Sequence, residues 1–170
     1  MQAATAWQNV SLDRAGMAGP TGRPMEAGEF RLGRFLEAQE ASYATALQEL
    51  SSGKKRTHWI WYVFPQLSGL GTSSMSVKYG IPGLPEARLY LAHPVLGQRL
   101  RESTEAMLGH QGSSAESVLG ELDATKFRSC LTLFSLADPT SQVFNAALDR
   151  FFPGERDRKT LALLEGSREP

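Results

Sequence analysis

The sequence predicts a mainly α protein: one compact domain of about seven or eight short helices, with at most a minor strand element. Three observations lead to this prediction. Apolar side chains recur at steps of three and four along most of the chain after residue 30. Helix-capping and helix-breaking residues separate these stretches at short intervals. Strands do not alternate with long helices, which argues against a parallel sheet.

The first predicted helix runs from about Glu29 to Leu50 and stops at Gly53. Its predicted inner face is Leu32, Leu36, Gln39, Tyr43, Leu47 and Leu50. Residues 57–64 follow, and their aromatic composition favours a strand, although their length also allows a buried helical turn. A loop is expected over 66–74 and a short helix over 75–81.

Two prolines mark the next helices. Pro85 suits a first helical position, and that helix should end near Ala92 because His93 precedes Pro94. Pro94 then opens a helix whose predicted inner face is Leu96, Leu100, Thr104, Met107 and Leu108.

Capping residues predict the remaining helices. Ser113 and Glu116 have the spacing of a capping box. Asp123 is expected to cap a helix that turns Phe127, Leu131, and Phe134 or Leu133 inward. Asp138-Pro139 is expected to start a helix with Val143, Ala147, Leu148 and Phe151 inward and an end at Gly154. Asp157 should cap a last segment through Leu164.

The composition is that of a soluble globular protein. Of 170 residues, 41% are hydrophobic and 21% are charged, and this length suffices for one domain with a sizeable core. A single cysteine excludes a disulfide framework and a cysteine-based zinc site. The sequence shows no membrane-spanning stretch and no secretory leader, so we expect a cytoplasmic location.

The domain is expected over residues 29–165. Residues 1–28 contain few large apolar side chains and are expected to form a disordered tail. Residues 166–170 are expected to be a disordered C-terminus.

Charges balance overall but are unevenly distributed. The 18 Lys and Arg residues equal the 18 Asp and Glu residues, which argues against general nucleic-acid binding without excluding it. Residues 51–101 carry seven positive side chains and one negative, whereas residues 102–124 carry five negative and none positive. The two regions could be ordinary solvated faces, or they could attract each other between the subunits of a homodimer.

The segment from residue 54 to residue 74 has the richest chemistry. Three cations precede His58, Trp59 and Trp61, and Gly69 and Gly71 follow. Cations and backbone amides suit a phosphate, and aromatic faces suit a base. The alternative is that the aromatic residues belong to the core and that His58 bonds a backbone carbonyl. The glycine spacing matches neither phosphate-loop motif.

A second polar group lies on a later predicted helix. Lys126, Ser129 and Thr132 share one face, which could bind an anion or could be an ordinary polar face. Cys130 on this helix is expected to be an inert buried thiol. The three histidines lack metal-ligand spacing and no nucleophile elbow is present, so no metal or cofactor is expected.

The chain resembles the bacterial family called domain of unknown function 1810. Residues 58–73 carry its pattern H-W-x-W-x-x-F-P-Q-x-x-G-L-G-x-S, and residues 90–97, 126–134 and 151–164 resemble its later blocks. The resemblance spans roughly residues 29–164 and implies a small, mostly helical fold with no known reaction. Some members carry the label calpastatin. We do not transfer it, because inhibitory segments of that kind are disordered and repeated.

These features suggest a ligand. A helix after His93-Pro94, followed by a helix with Lys126 and Ser129 three residues apart, is faintly similar to the NAD- and ADP-ribose-associated family related to bacterial riboflavin-pathway glycosidases. This similarity favours a nucleotide or ADP-ribose-like ligand over a metal or a lipid. We expect a phosphorylated nucleotide or ADP-ribose-like ligand in a cleft lined by the H-W-x-W-x-x-F-P-Q segment, and whether it is hydrolysed stays open. His58 is the candidate general acid/base. The expected ligand-binding residues are Lys55, Arg56, Trp59, Trp61, Gln66, Ser73, Lys126, Ser129 and Thr132.

The alternative is a non-enzymatic interaction module. In this reading the basic region 51–101 faces an acidic partner or RNA, and the aromatic residues are core.

Overall fold

A computed structural model describes residues 31–167, which form helices and no β-sheet. The nine helices of this range are α1 (Gly33–Ser52), α2 (Ile60–Val63), α3 (Ser74–Tyr79), α4 (Leu84–Ala92), α5 (Leu96–Leu108), α6 (Ala115–Leu119), α7 (Glu121–Ala137), α8 (Gln142–Phe151) and α9 (Arg158–Gly166). An isolated bridge pairs Leu67 with Ile81. The predicted mainly α class is confirmed, and the nine helices of this range are one more than the upper predicted number. The expected tail at 1–28 lies outside the described residues, as do residues 168–170.

Helix α7 lies at the centre of the core. Ten of its seventeen residues are buried, and it packs against α4, α6, α8 and α9. Its Phe127 ring lies 4.6 Å from Phe64, and its Phe134 ring lies 5.3 Å from Tyr90, centroid to centroid. Three of the four sequence blocks that carry the family resemblance, residues 58–73, 90–97 and 126–134, therefore meet in one core.

Helix α1 ends where its sequence predicts. Gly53 takes a left-handed φ of 82°, a conformation that glycine adopts without steric cost. The buried face of the helix is slightly rotated from the predicted one, because Tyr43 and Leu47 are half-buried. The fully buried positions are Leu32, Phe35, Gln39, Ala46, Glu49 and Leu50.

The favoured strand at 57–64 is wrong, and the alternative of a buried helical turn is confirmed. Ile60–Val63 form α2, and the Phe64 N–H continues the pattern to the Ile60 carbonyl at 3.0 Å. Trp59, Ile60, Val63 and Phe64 are each at most 2% exposed. A single turn can bury such a cluster and satisfy its own backbone, whereas a strand needs a partner strand.

Two predicted caps are wrong. The cap of α6 is Ser114, whose hydroxyl accepts from the Ser117 N–H at 3.1 Å, not Ser113. Asp123 does not cap α7, because the helix starts earlier, at Glu121, after Gly120 with a φ of 88° at the N-cap position. Asp123 lies in the first turn instead, where its carboxylate can form ion pairs.

Of the last two helices, α8 starts later than predicted and α9 is capped as predicted. Helix α8 begins at Gln142 after Ser141, whereas Asp138 accepts from the Thr140 N–H in the preceding turn. The predicted start of this helix at Asp138-Pro139 is therefore wrong. Asp157 caps α9 as predicted, through a 2.9 Å hydrogen bond from the Thr160 N–H. Helix α9 extends to Gly166, past the expected boundary at 165.

Helices α4 and α5 meet at a tight turn. His93 ends α4 in an extended conformation, and its Nδ1 accepts from the Val95 and Leu96 N–H groups. This confirms the helix break predicted before Pro94. Gly97 then lies against the Leu91 carbonyl, whose carbon would be 2.8 Å from a Cβ at position 97. The turn therefore requires glycine at this position.

Candidate functional site

The basic loop at residues 54–58 is held by one buried carboxylate, Glu49 in the last turn of α1. Its oxygens accept hydrogen bonds from the N–H groups of Arg56 at 2.6 Å and Thr57 at 2.8 Å. They also accept from the Thr57 hydroxyl at 2.7 Å and the Trp59 indole N–H at 3.1 Å. These four bonds fix the path of the loop relative to α1.

The environment of Glu49 favours its charged form. Burial acts to raise the pKa of this carboxyl, but the hydrogen bonds from Arg56, Thr57 and Trp59 outweigh burial and lower it to about 2. Sequence reasoning missed Glu49, since no motif marks it. Its one sequence signal is a carboxylate beside the apolar face of a helix, next to Leu50.

Lys55 turns inward while its neighbours face solvent. Its backbone N–H donates to the Val118 carbonyl at 2.8 Å. Its ammonium lies 2.9 Å from Asp123 Oδ2 and 5.1 Å from the Trp59 ring centroid. Arg56 and His58 are exposed on the same loop. The loop therefore directs one cation toward α7 and leaves other polar groups accessible.

Lys126 reaches the same carboxylate from α7. Its ammonium lies 3.6 Å from Asp123 Oδ1, and we call Lys55, Asp123 and Lys126 the lysine–aspartate cluster. The side chains of the cluster are 9%, 19% and 18% exposed, respectively, so they are partly shielded from water. The cluster joins two of the residues that the sequence predicts for anion contacts, although Lys55 and Lys126 lie about 70 residues apart in the chain.

The two tryptophans differ in exposure. Trp59 is 1% exposed, its N–H is bonded to Glu49, and Lys55 lies over its ring. Its contacts are those of a core residue. Trp61 is half-buried and packs against the core. Of the two rings proposed for stacking, Trp61 is the more accessible.

Of the four other predicted site residues, Gln66 is buried at 9% exposure, and the remaining three have hydrogen-bond partners in their own surroundings. Ser73 caps α3 by accepting from the Ser76 N–H. Ser129 donates to the Thr125 carbonyl. Thr132 donates to the Arg128 carbonyl and accepts from the Asp157 N–H at 3.0 Å. None of these contacts connects the four residues to the lysine–aspartate cluster.

Cys130 is buried at 1% exposure, as the sequence predicted, and burial raises the pKa of its thiol. Within residues 31–167, no three His, Cys, Asp or Glu side chains are grouped so that they could hold a metal ion. Across the same residues, no helix has both the length and the hydropathy needed to cross a membrane.

The fold and this cluster define a small, single-domain helical protein with a basic loop fixed on a buried carboxylate. Residues 29–164 match the family described as "Protein of unknown function (DUF1810)", and the chain belongs to that family. The crystal structure of the conserved hypothetical protein Rv1873 from Mycobacterium tuberculosis is similar. The two chains are 46% identical with a TM-score of 0.78, and the match covers 80% of this chain and 97% of that one. No curated protein matches the chain.

Proposed function

We propose that the protein binds a small phosphorylated ligand at the lysine–aspartate cluster and the adjoining loop 54–58. The observation that carries this proposal is the convergence of Lys55 and Lys126 on Asp123. Two ammonium groups and one carboxylate leave the cluster with a single positive charge. Each ammonium has three N–H donors, so donors remain for a phosphate after each has paired with Asp123.

The arrangement around the cluster supports this proposal. Glu49 fixes the loop before any ligand arrives, which lowers the entropy cost of binding. Arg56 on the same loop is exposed and carries the fork geometry that suits a phosphate. Trp61 in the following helix is the accessible ring for a nucleobase, so a nucleotide or ADP-ribose-like compound fits the available chemistry.

His58 is the residue to which we assign proton transfer if the ligand is hydrolysed. It is exposed on the same loop, and an imidazole is the side chain that most often acts as a general acid or base. Product analysis after incubation with ADP-ribose or a nucleotide would detect turnover. Products formed at equal rates by the wild type and His58→Ala would exclude this role.

Binding can be tested by calorimetric titration with ADP-ribose and with nucleoside diphosphates. We expect Lys126→Gln to weaken binding at least tenfold, because it removes a cation that would contact the phosphate. Arg88→Gln is the matched control, since it removes one exposed cation from α4. Equal affinity of Lys126→Gln and the wild type, with both melting normally, would contradict the proposed site.

A second candidate function is an interaction module for an acidic partner or RNA. It is favoured by the exposure of Lys54, Arg56 and His58 on a loop that is held in place by Glu49. We expect binding of a short single-stranded RNA or a polyglutamate peptide to weaken steeply with salt. Lys54→Gln and Arg56→Gln together should abolish that binding if this function is correct. Salt-independent binding would exclude it.

A further inference from the structure

A second basic surface lies on another part of the molecule, where α7 faces the start of α9. A cavity of about 390 Å³ opens there, and half of its eight lining residues are cationic. The four cations are Arg128, Arg156, Arg158 and Lys159. None of them is among the site residues that the sequence predicts. They come from α7, from the connection that leads into α9 and from the first turn of α9, so the fold assembles them.

Two carboxylates also line the cavity, but they do not neutralise it. Four cations against two carboxylates leave a net charge of +2. Asp157 is 6% exposed, and its Oδ2 is already used in capping α9 through Thr160. The Glu155 side chain is 73% exposed, and its 3.4 Å contact with Arg128 is therefore a weak surface pair.

Arg128 is held in place but is not fully satisfied. Its guanidinium lies 4.0 Å from Asp157 Oδ1 and 5.8 Å from the Phe152 ring centroid. Its Nε is buried and has no hydrogen-bond partner among the described residues. The Arg128 side chain as a whole is 28% exposed and lines the cavity, so its guanidinium can be reached from there. A guanidinium suits an oxyanion in particular, because its parallel N–H groups can bind two oxygens.

The dimensions of the cavity narrow the ligand class. A lone inorganic ion would leave most of that space to water. The volume lies at the lower end of small-molecule sites, which suits a phosphate or diphosphate with a short organic portion.

We infer that this cavity binds the phosphate or diphosphate group of a small molecule, at a site distinct from the lysine–aspartate cluster. Arg128 and Lys126 lie two residues apart on α7 and so point to different sides of the helix. The inference goes beyond the proposed function and does not depend on it.

The test is a calorimetric titration of the full-length protein with inorganic pyrophosphate at constant ionic strength. Arg158→Gln combined with Lys159→Gln changes two exposed side chains on the first turn of α9. We expect this double variant to bind pyrophosphate at least tenfold more weakly than the wild type. Arg128→Lys retains the charge but loses the forked donors, and we expect it to bind more weakly than the wild type.

Two controls separate this site from the lysine–aspartate cluster. Lys126→Gln should still show the pyrophosphate binding that the Arg158 and Lys159 double variant weakens. This holds whether or not the lysine–aspartate cluster binds a ligand. Arg88→Gln removes an unrelated exposed cation and should leave this step unchanged. Sodium chloride at matched ionic strength should not displace pyrophosphate.

Several results would overturn the inference. One is an equal pyrophosphate affinity in the wild type and the double variant, measured on samples with the same melting temperature. Another is a loss of all pyrophosphate binding in Lys126→Gln, which would assign it to the cluster. A short RNA that binds this surface without competition from pyrophosphate would indicate a nucleic-acid site instead.

Discussion

At Glu49, four hydrogen-bond donors from Arg56, Thr57 and Trp59 converge on one buried carboxylate. The negative charge is thereby placed under a loop whose exposed residues are mainly cationic and polar. Loss of the charge would release the loop and leave the donors unpaired in a buried site. This one side chain therefore determines both the stability of the region and the geometry proposed for binding.

We expect Glu49→Gln to cost about 2–3 kcal/mol of unfolding free energy at pH 7, because charged hydrogen bonds of this kind are worth about 1.5–3 kcal/mol. Urea denaturation measures the change. Glu40→Gln, an exposed position on the same helix, is the matched control and should change stability by less than about 0.5 kcal/mol. Equal stability of the two variants would show that the Glu49 charge is not needed.

The pH dependence of stability follows from the same carboxylate. Its pKa falls from 4.5 to about 2 on folding, so its stabilising contribution is complete above about pH 5. The contribution decreases as the pH falls toward 2, because the unfolded chain binds the proton more tightly. Denaturation at pH 7 and pH 3 should show a smaller loss of stability in Glu49→Gln than in the wild type. Parallel losses in both proteins would contradict this assignment.

At the scale of single elements, Gly97 sets the approach of α5 to α4. A Cβ at this position would overlap the Leu91 carbonyl, and a backbone group cannot move aside as a flexible side chain can. We expect Gly97→Ala to destabilise the protein by about 1–3 kcal/mol, the usual range for overpacking. Gly33→Ala is the control, because nothing lies within 4 Å of its Cβ position. Thermal melting measures both, and no difference between them would refute the close contact.

Periodicity predicted most helices because it records which side chains face a core. The ends were harder to predict. Ser113 and Ser114 are adjacent hydroxyls, and only the backbone geometry selects Ser114 as the cap. Asp123 has the composition of a cap, but the positive φ of Gly120 starts α7 before it. At α2, the aromatic composition favoured a strand, but the residues form a buried helical turn. One helical turn satisfies its own backbone hydrogen bonds, whereas a strand would need a partner.

At the scale of the whole molecule, the mainly α class and the family could be predicted from sequence, whereas the ion pairs could not. The basic segment and Lys126 stand out by residue type. Their meeting at Asp123 depends on how α1, α6 and α7 pack, and no spacing in the sequence encodes that distance. The Arg128 cavity could not be predicted for the same reason, because its cations come together only when α9 packs against α7.

The distribution of charge also bears on self-association. The positive region 51–101 and the negative region 102–124 are joined within one chain by the Lys55–Asp123 pair. We therefore expect light scattering to give a monomer mass at both low and high salt. A larger mass at low salt that falls at high salt would instead support an electrostatic homodimer, because salt screens such contacts over ~8–10 Å.

The position of Cys130 has a practical consequence. It is the one cysteine of the chain and lies 1% exposed in the central helix. A thiol reagent can reach it only in molecules whose core has opened, so the labelling rate reports the open population. A loss of 2 kcal/mol should accelerate labelling about 30-fold, since 1.4 kcal/mol is a factor of ten. Cys130 is therefore a native labelling site whose reaction rate reports unfolding, and no engineered label is needed.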